Sequence, residues 1–112
     1  MSGRGEMWLF LAQRASAVVM APLVLIHLAV IIYAVRSGLS AEAIFARTRG
    51  SVLWAGFYGL FVVAVSVHAA LGCRAISAEW AGWRGNRVDG VWAAFGALLL
   101  IAGLRAVAGV IW

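Results

Sequence analysis

Apolar residues are gathered into three long blocks that cover residues 15–35, 52–73 and 91–112. About 20 apolar residues in a helix, each rising 1.5 Å, cross the hydrocarbon core of a bilayer. None of the blocks alternates with a period of two, and three strands cannot close a barrel, so helices satisfy the backbone in lipid where strands would not. The pattern predicts an all-α membrane protein, one domain over residues 1–112, with three transmembrane helices near 12–36, 51–76 and 89–112.

Composition excludes a water-soluble domain. Of the 112 residues, 65% are hydrophobic and only 12% are charged, about half the usual charged fraction. A soluble domain of this size needs a polar shell that this chain does not contain. Disorder is excluded by the same numbers, and a disulfide framework is excluded because Cys73 is the only cysteine.

The charged residues are nine arginines and four acids, without lysine. The arginines stand between the apolar blocks, which is typical of membrane flanks and not of a nucleic-acid-binding patch. Five arginines lie on the membrane side that the N-terminus shares with the second connection: Arg4, Arg14, Arg74, Arg84 and Arg87. Three lie on the opposite side: Arg36, Arg47 and Arg49. This asymmetry predicts an N-terminus inside and a C-terminus outside. In the first connection, Ser40 is placed to cap a short interfacial helix that carries Ile44 and Phe45.

Three ionisable side chains lie inside the predicted spans: His27, His68 and Arg105. Each costs free energy in lipid and is normally retained for a pathway, a ligand or a cofactor. A lone intramembrane histidine also serves as an interhelical hydrogen-bonding group. Imidazole is in addition a common metal ligand and an axial ligand of haem iron. With no CxxC, no HExxH and no acid near either histidine, haem is favoured over a chelated metal ion.

The predicted depths of the two histidines differ. His27 lies nine residues before Arg36 at the outer end of the first span, and His68 lies six residues before Arg74 at the inner end of the second. Their heights therefore differ by roughly 10 Å or more, and they cannot bind one iron. A haem with two histidine ligands would take the second imidazole from another polypeptide.

His27 and Arg105 reach a similar depth on the outer side. A second haem there would give His27 an iron and Arg105 a propionate. The alternative is a His27 hydrogen-bonded to a neighbouring helix and an Arg105 side chain that reaches the outer surface.

Small residues share the helical face of His68, with Ala64, Gly72 and Ala75 at offsets of minus four, plus four and plus seven. They would let a porphyrin plane approach the helix, or they would serve close helix packing. Arg14 and Arg74 lie at a similar inner level. Their guanidinium groups suit haem propionates or a quinone carbonyl, or they are ordinary positive-inside anchors.

Several short motifs together resemble a known family. Residues 68–74 read HxxxGxR and are followed by Glu79-Trp80, while residues 8–17 read WxxxxQRASA and His27 follows in the first span. The chain is similar in these motifs, in length and in its three-helix layout to the small membrane-anchor subunits of succinate dehydrogenase and fumarate reductase.

The resemblance implies a non-catalytic anchor subunit in a bacterial cytoplasmic membrane. Such anchors come in pairs that hold a flavoprotein and an iron–sulfur subunit on the inner face, bind haem b between helices, and pass electrons to ubiquinone or menaquinone in the tricarboxylic acid cycle. No activity is expected of the chain alone. In this family's pattern, His68 matches the haem ligand of the second helix, and Arg14 and Ser16 match a segment lining the quinone and propionate region.

Three residues depart from the family's pattern or vary within it. The resemblance implies a quinone site at the inner boundary, built partly from Arg14, Ser16, Glu79 and Trp80. Glu79 and Trp80 stand where many members have Asp-Tyr, whose tyrosine hydrogen-bonds the quinone. An indole donates one hydrogen bond but neither accepts nor titrates as a phenol does. His27 matches a histidine found chiefly in members with two haems.

Two alternatives remain beside the haem-bearing anchor. One is a haem-free structural anchor or a small membrane assembly or transport module, in which both histidines make helix contacts. The other is a cytochrome b subunit of a hydrogenase or formate dehydrogenase, although such subunits usually contain more helices and more histidines. A b-type difference spectrum distinguishes a haem-bearing chain from a haem-free one.

Overall fold

A computed structural model describes residues 3–112, which fold into four helices and contain no strand. The helices are α1 (Gly3–Ser37), α2 (Ala41–Thr48), α3 (Val52–Ala81) and α4 (Asn86–Ile111). Helices α1, α3 and α4 are long and apolar enough to cross a membrane. The described part is 49 Å long, close to the roughly 40–45 Å of a bilayer with its headgroups. The predicted all-α class with three transmembrane helices is confirmed.

Two of the long helices extend further than predicted. Helix α1 begins at Gly3 instead of near residue 12, and α3 continues to Ala81 instead of ending near residue 76. Apolar length reports only the part of a helix that lies in hydrocarbon. The additional turns carry Glu6 and Glu79, which are exposed and belong to the polar ends of their helices.

The short helix predicted in the first connection is present as α2. Ser40 caps it, because its hydroxyl accepts a hydrogen bond from the Ala43 N–H at 3.1 Å. The helix is fixed to the end of α4 by the buried Thr48, whose hydroxyl donates to the Val110 carbonyl at 2.8 Å. The Gly50 N–H then donates to the Ile111 carbonyl at 2.7 Å, in a turn whose positive φ of 72° favours glycine.

Helix α3 packs against both α1 and α4. The side of α1 that faces α3 is a single stripe of less exposed residues at helical spacing, which includes Leu9, Ala12, Gln13, Ser16, Met20, Leu23, His27, Val30 and Ala34. Spacings of three and four residues place such a stripe on one face of a helix. Large apolar residues elsewhere on α1, such as Val18 and Leu25, are exposed and are available to lipid or to another subunit.

Glycines allow α3 and α4 to approach closely. A Cβ atom added at Gly103 would lie 2.5 Å from Cγ1 of Val62, and one added at Gly96 would lie 2.9 Å from Cβ of Ala70. Both distances are shorter than van der Waals contact. The absence of side chains at these two glycines therefore sets the distance between the helices, as small residues commonly do in membrane bundles.

We expect Gly103→Ala to destabilise the protein by about 1–3 kcal/mol, because the added methyl group overpacks the contact with Val62. Thermal unfolding of the purified protein in detergent measures the loss. Gly109→Ala is the matched control, since a Cβ there meets nothing within 4 Å. Adding Val62→Ala to Gly103→Ala should recover part of the loss. Equal unfolding temperatures for the two single glycine variants would contradict this account.

Candidate functional site

The two histidines lie at different levels of the bundle. His68 on α3 is opposite Ser16 of α1, whereas His27 on α1 packs against Tyr58 and Phe61 of α3. The eleven residues from Ser16 to His27 correspond to about 16 Å along the helix. The two imidazoles of one chain are therefore too far apart to bind the same metal ion, as the sequence predicts. Separately, no group of three metal-ligating side chains is found between Gly3 and Trp112.

His68 is held by a hydrogen bond across the α1–α3 interface. The Ser16 hydroxyl donates to the Gln13 carbonyl at 2.8 Å, and the same oxygen lies 3.2 Å from Nδ1 of His68. A hydroxyl has one hydrogen, so when it is donated to the Gln13 carbonyl the imidazole acts as the donor to Ser16 and carries its proton on Nδ1. Nε2 then keeps a lone pair, and it has no hydrogen-bonding partner in the part of the chain described. His68 is half-buried, so this nitrogen is available to a group from outside the chain.

Gln13 packs on α3 next to His68. A Cβ at Gly72 would lie 3.2 Å from Nε2 of Gln13, so Gly72 here serves close helix packing, one of the two uses considered for it. Oε1 of Gln13 is buried and has no hydrogen-bonding partner among residues 3–112. Gln13 belongs to the WxxxxQRASA motif, but no role was predicted for it from the sequence. Its position three residues before Ser16, on the same helical face, was the available indication.

Arg74 joins three helices at one end of the bundle. Its Nη2 lies 2.9 Å from Oε1 of Glu6 on α1, and its Nε lies 2.8 Å from Oδ1 of Asp89 on α4. Both acids are in the first turn of their helices, where negative charge is favourable. We call the end of the bundle that contains Glu6, Arg74 and Asp89 the Arg74 end. No role was predicted from the sequence for either acid. The available indication was that each lies near the start of a helix, at the end of the bundle where Arg74 lies.

A cleft of about 240 Å³ opens at the Arg74 end, between α1 and α3. It is lined by Glu6, Leu9, Phe10, Gln13, Leu71, Arg74, Ala75 and Glu79. Of the residues predicted to form a quinone site, Glu79 therefore borders the cleft. Trp80 does not line the cleft, and its side chain is 86% exposed on the outside of the helix bundle.

Arg14 and Ser16 point in different directions. They are two residues apart on α1, which separates them by about 200° around the helix. Ser16 is buried against α3, whereas the Arg14 side chain is exposed, with its Cζ 5.3 Å from the centre of the Phe10 ring. The chain by itself does not bring these two predicted site residues together, so a site that contains Arg14 extends to a neighbouring subunit or to lipid.

His27 has aromatic neighbours but no polar partner. The centroid of its ring lies 5.1 Å from that of Phe61 and 6.0 Å from that of Tyr58, and its Nδ1 is buried without a hydrogen bond in the described residues. Neither aromatic neighbour was predicted from the sequence, although Phe61 lies seven residues before His68 and therefore on the same face of α3. Arg105 is exposed on α4 and forms no ion pair within residues 3–112.

The fold is that of a small multi-pass membrane protein with polar side chains held between its helices. Residues 2–109 match the family of succinate dehydrogenase/fumarate reductase transmembrane subunits, and the chain therefore belongs to that family. No curated protein and no solved structure matches the chain. The family match confirms the resemblance inferred from the sequence motifs.

We expect Arg74→Gln to lower the unfolding temperature of the detergent-solubilised protein by a few degrees, because Glu6 and Asp89 lose the cation that joins them. Arg87→Gln is the matched control, since Arg87 is an exposed arginine of α4 near the same end of the bundle. Arg74→Lys should restore only part of the loss, because an ammonium group lacks the fork that bridges two carboxylates. Equal unfolding temperatures for Arg74→Gln and Arg87→Gln would show that the ion pairs contribute nothing measurable.

Proposed function

We propose that this chain is a haem b-bearing anchor subunit of a succinate dehydrogenase/fumarate reductase complex and helps to pass electrons between the iron–sulfur subunit and membrane quinone. The observation that carries the proposal is the state of His68 in a chain of this family. Its Nδ1 lies 3.2 Å from the Ser16 hydroxyl oxygen, and its Nε2 has no hydrogen-bonding partner among the described residues. The chemistry of succinate and fumarate belongs to other subunits of the complex.

The surroundings of His68 fit a haem ligand. Iron binds the unprotonated nitrogen of a neutral imidazole whose other N–H is hydrogen-bonded. The second axial imidazole would come from a partner anchor subunit, because His27 is about 16 Å away along the bundle. When bound, a b-type haem supplies one-electron transfer. For its propionates Arg14 is a better candidate than Arg74, because Arg14 is exposed and Arg74 already binds two carboxylates.

A quinone site is proposed at the Arg74 end, which we place on the inner side of a bacterial cytoplasmic membrane. Arg14 and Trp80 are exposed there as hydrogen-bond donors, and Glu79 borders the cleft. A quinone headgroup needs donors to its two carbonyl oxygens, and arginine and tryptophan both donate. The iron–sulfur subunit and the second anchor subunit would complete the site from outside this chain.

His27 would bind the iron of a second haem in a complex with two haems, with Arg105 as the propionate partner. The support is weaker here. Nδ1 of His27 has no acceptor among the described residues, whereas Nδ1 of His68 has Ser16. A partner subunit would have to supply that acceptor.

A haem-free structural anchor is the second candidate. The hydrogen bond between Ser16 and His68 favours it, because it is also the bond that a histidine would form if it served only helix packing. The two candidates differ in the visible spectrum of the intact complex.

Replacement of His68 distinguishes the two functions. In the complex purified with its partner subunits, His68→Ala should abolish or severely perturb the reduced-minus-oxidised b-type band, because the iron loses a ligand. Cys73→Ala, a conservative change on the same helix, should leave the band intact. Haem quantitation of His27→Ala then counts the haems, since only a two-haem complex loses one. An unchanged spectrum in His68→Ala would remove the haem assignment.

Replacement of Arg14 tests the quinone site. Arg14→Ala should lower quinone reductase activity severalfold, because a donor to the headgroup is lost, while succinate oxidation with an artificial acceptor continues. Arg87→Ala, which removes another exposed arginine from the Arg74 end, should leave both activities at the wild-type level. If Arg14→Ala also retains both, Arg14 is only a membrane anchor.

A further inference from the structure

Ser16 is the acceptor for the imidazole on which the proposed function depends. We propose that Ser16 is a positioning residue for His68: it fixes the tautomer and orientation of the ring and lowers the reduction potential of the iron bound at Nε2. The inference rests on the proposed haem-bearing function. It removes Ser16 from the quinone site, where the family resemblance had placed it.

The hydrogen bonds of Ser16 leave it little capacity for a quinone. Its hydroxyl hydrogen is donated to the Gln13 carbonyl at 2.8 Å, and its oxygen is occupied by Nδ1 of His68 at 3.2 Å. The residue is only 7% exposed. A quinone carbonyl needs a donor, and the one hydrogen of Ser16 is already used inside α1.

A second serine shows the same arrangement with an unambiguous direction. The Ser77 hydroxyl donates to the Arg74 carbonyl at 3.0 Å, and its oxygen lies 3.0 Å from Nε1 of Trp92 on α4. An indole nitrogen only donates, so Ser77 is the acceptor between helices. Ser16 repeats this geometry with an imidazole in place of the indole, which supports the protonated Nδ1 of His68.

This hydrogen bond should alter the electronic character of the ligand. When the Nδ1–H of an imidazole donates a hydrogen bond, Nε2 becomes a more basic ligand. The Ser16 oxygen is a stronger acceptor because its own hydrogen is donated to a carbonyl. A more basic imidazole stabilises ferric iron more than ferrous iron, so the bond lowers the reduction potential.

The test is a redox titration of the haem in the purified intact complex. Ser16→Ala should shift the ferric-to-ferrous equilibrium about three- to tenfold towards ferrous iron, the size of one neutral hydrogen bond. For one electron this raises the midpoint potential by about 28–59 mV. The electron paramagnetic resonance spectrum of the oxidised haem should change as well, because the ring is free to rotate.

Two variants separate this effect from general loss of packing. Ser16→Thr keeps a hydroxyl that bonds to the backbone in the same way and should retain the wild-type potential. Ser66→Ala removes another buried hydroxyl, one that donates to the Val62 carbonyl at 2.7 Å, and should also leave the potential unchanged.

Three results would overturn the inference: a wild-type potential in Ser16→Ala, an equal shift in Ser66→Ala, or impaired quinone reduction with an unchanged potential. If Ser16→Ala does not assemble with haem, Ser16→Cys replaces it. Sulfur is a weaker acceptor, so a smaller shift in the same direction is expected, and no shift contradicts the inference. A wild-type complex without a b-type spectrum, or His68→Ala with an intact one, would instead refute the proposed function.

Discussion

Polar groups in the interior of this bundle have no bulk water to bind, so most of them bond to other groups of the chain, and Oε1 of Gln13 and Nδ1 of His27 are exceptions among the described residues. Ser16 and His68, Ser77 and Trp92, and Thr48 and the Val110 carbonyl each form such a bond between two helices. Each pair also fixes how far one helix is shifted along another. The contact between Ser16 and His68 therefore contributes to the register of α1 on α3 as well as to the orientation of the imidazole.

Helix α3 has a different role on each of its two packed faces. Towards α4 it offers Val62 and Ala70 to glycines, which set the close approach in the middle of the helices, and Ser77 to Trp92 nearer the Arg74 end. Towards α1 it offers His68, and the contact there includes a polar bond.

The arginines differ in whether they lie between the helices or on the outside of the bundle. The guanidinium group of Arg74 is neutralised by Glu6 and Asp89 and joins α1, α3 and α4. Arg14 and Arg105 are exposed and have no carboxylate partner within residues 3–112. Both guanidinium groups, like the exposed apolar side chains of α1, are accessible to groups from outside the chain.

The sequence by itself determined the all-α class, the three spans, the capped α2 and the family, because apolar length, a capping serine and short motifs are local properties of the chain. The sequence also showed that His27 and His68 lie at different heights, because that follows from the rise per residue of a helix. Rotation of one helix against another is not local, and only the tertiary structure decided it. That rotation buried Ser16 against His68, turned Arg14 to the outside, placed Gln13 on Gly72 and brought Glu6 and Asp89 to Arg74. Which polar groups meet depends on how three helices pack, and a single helix's pattern does not contain that information.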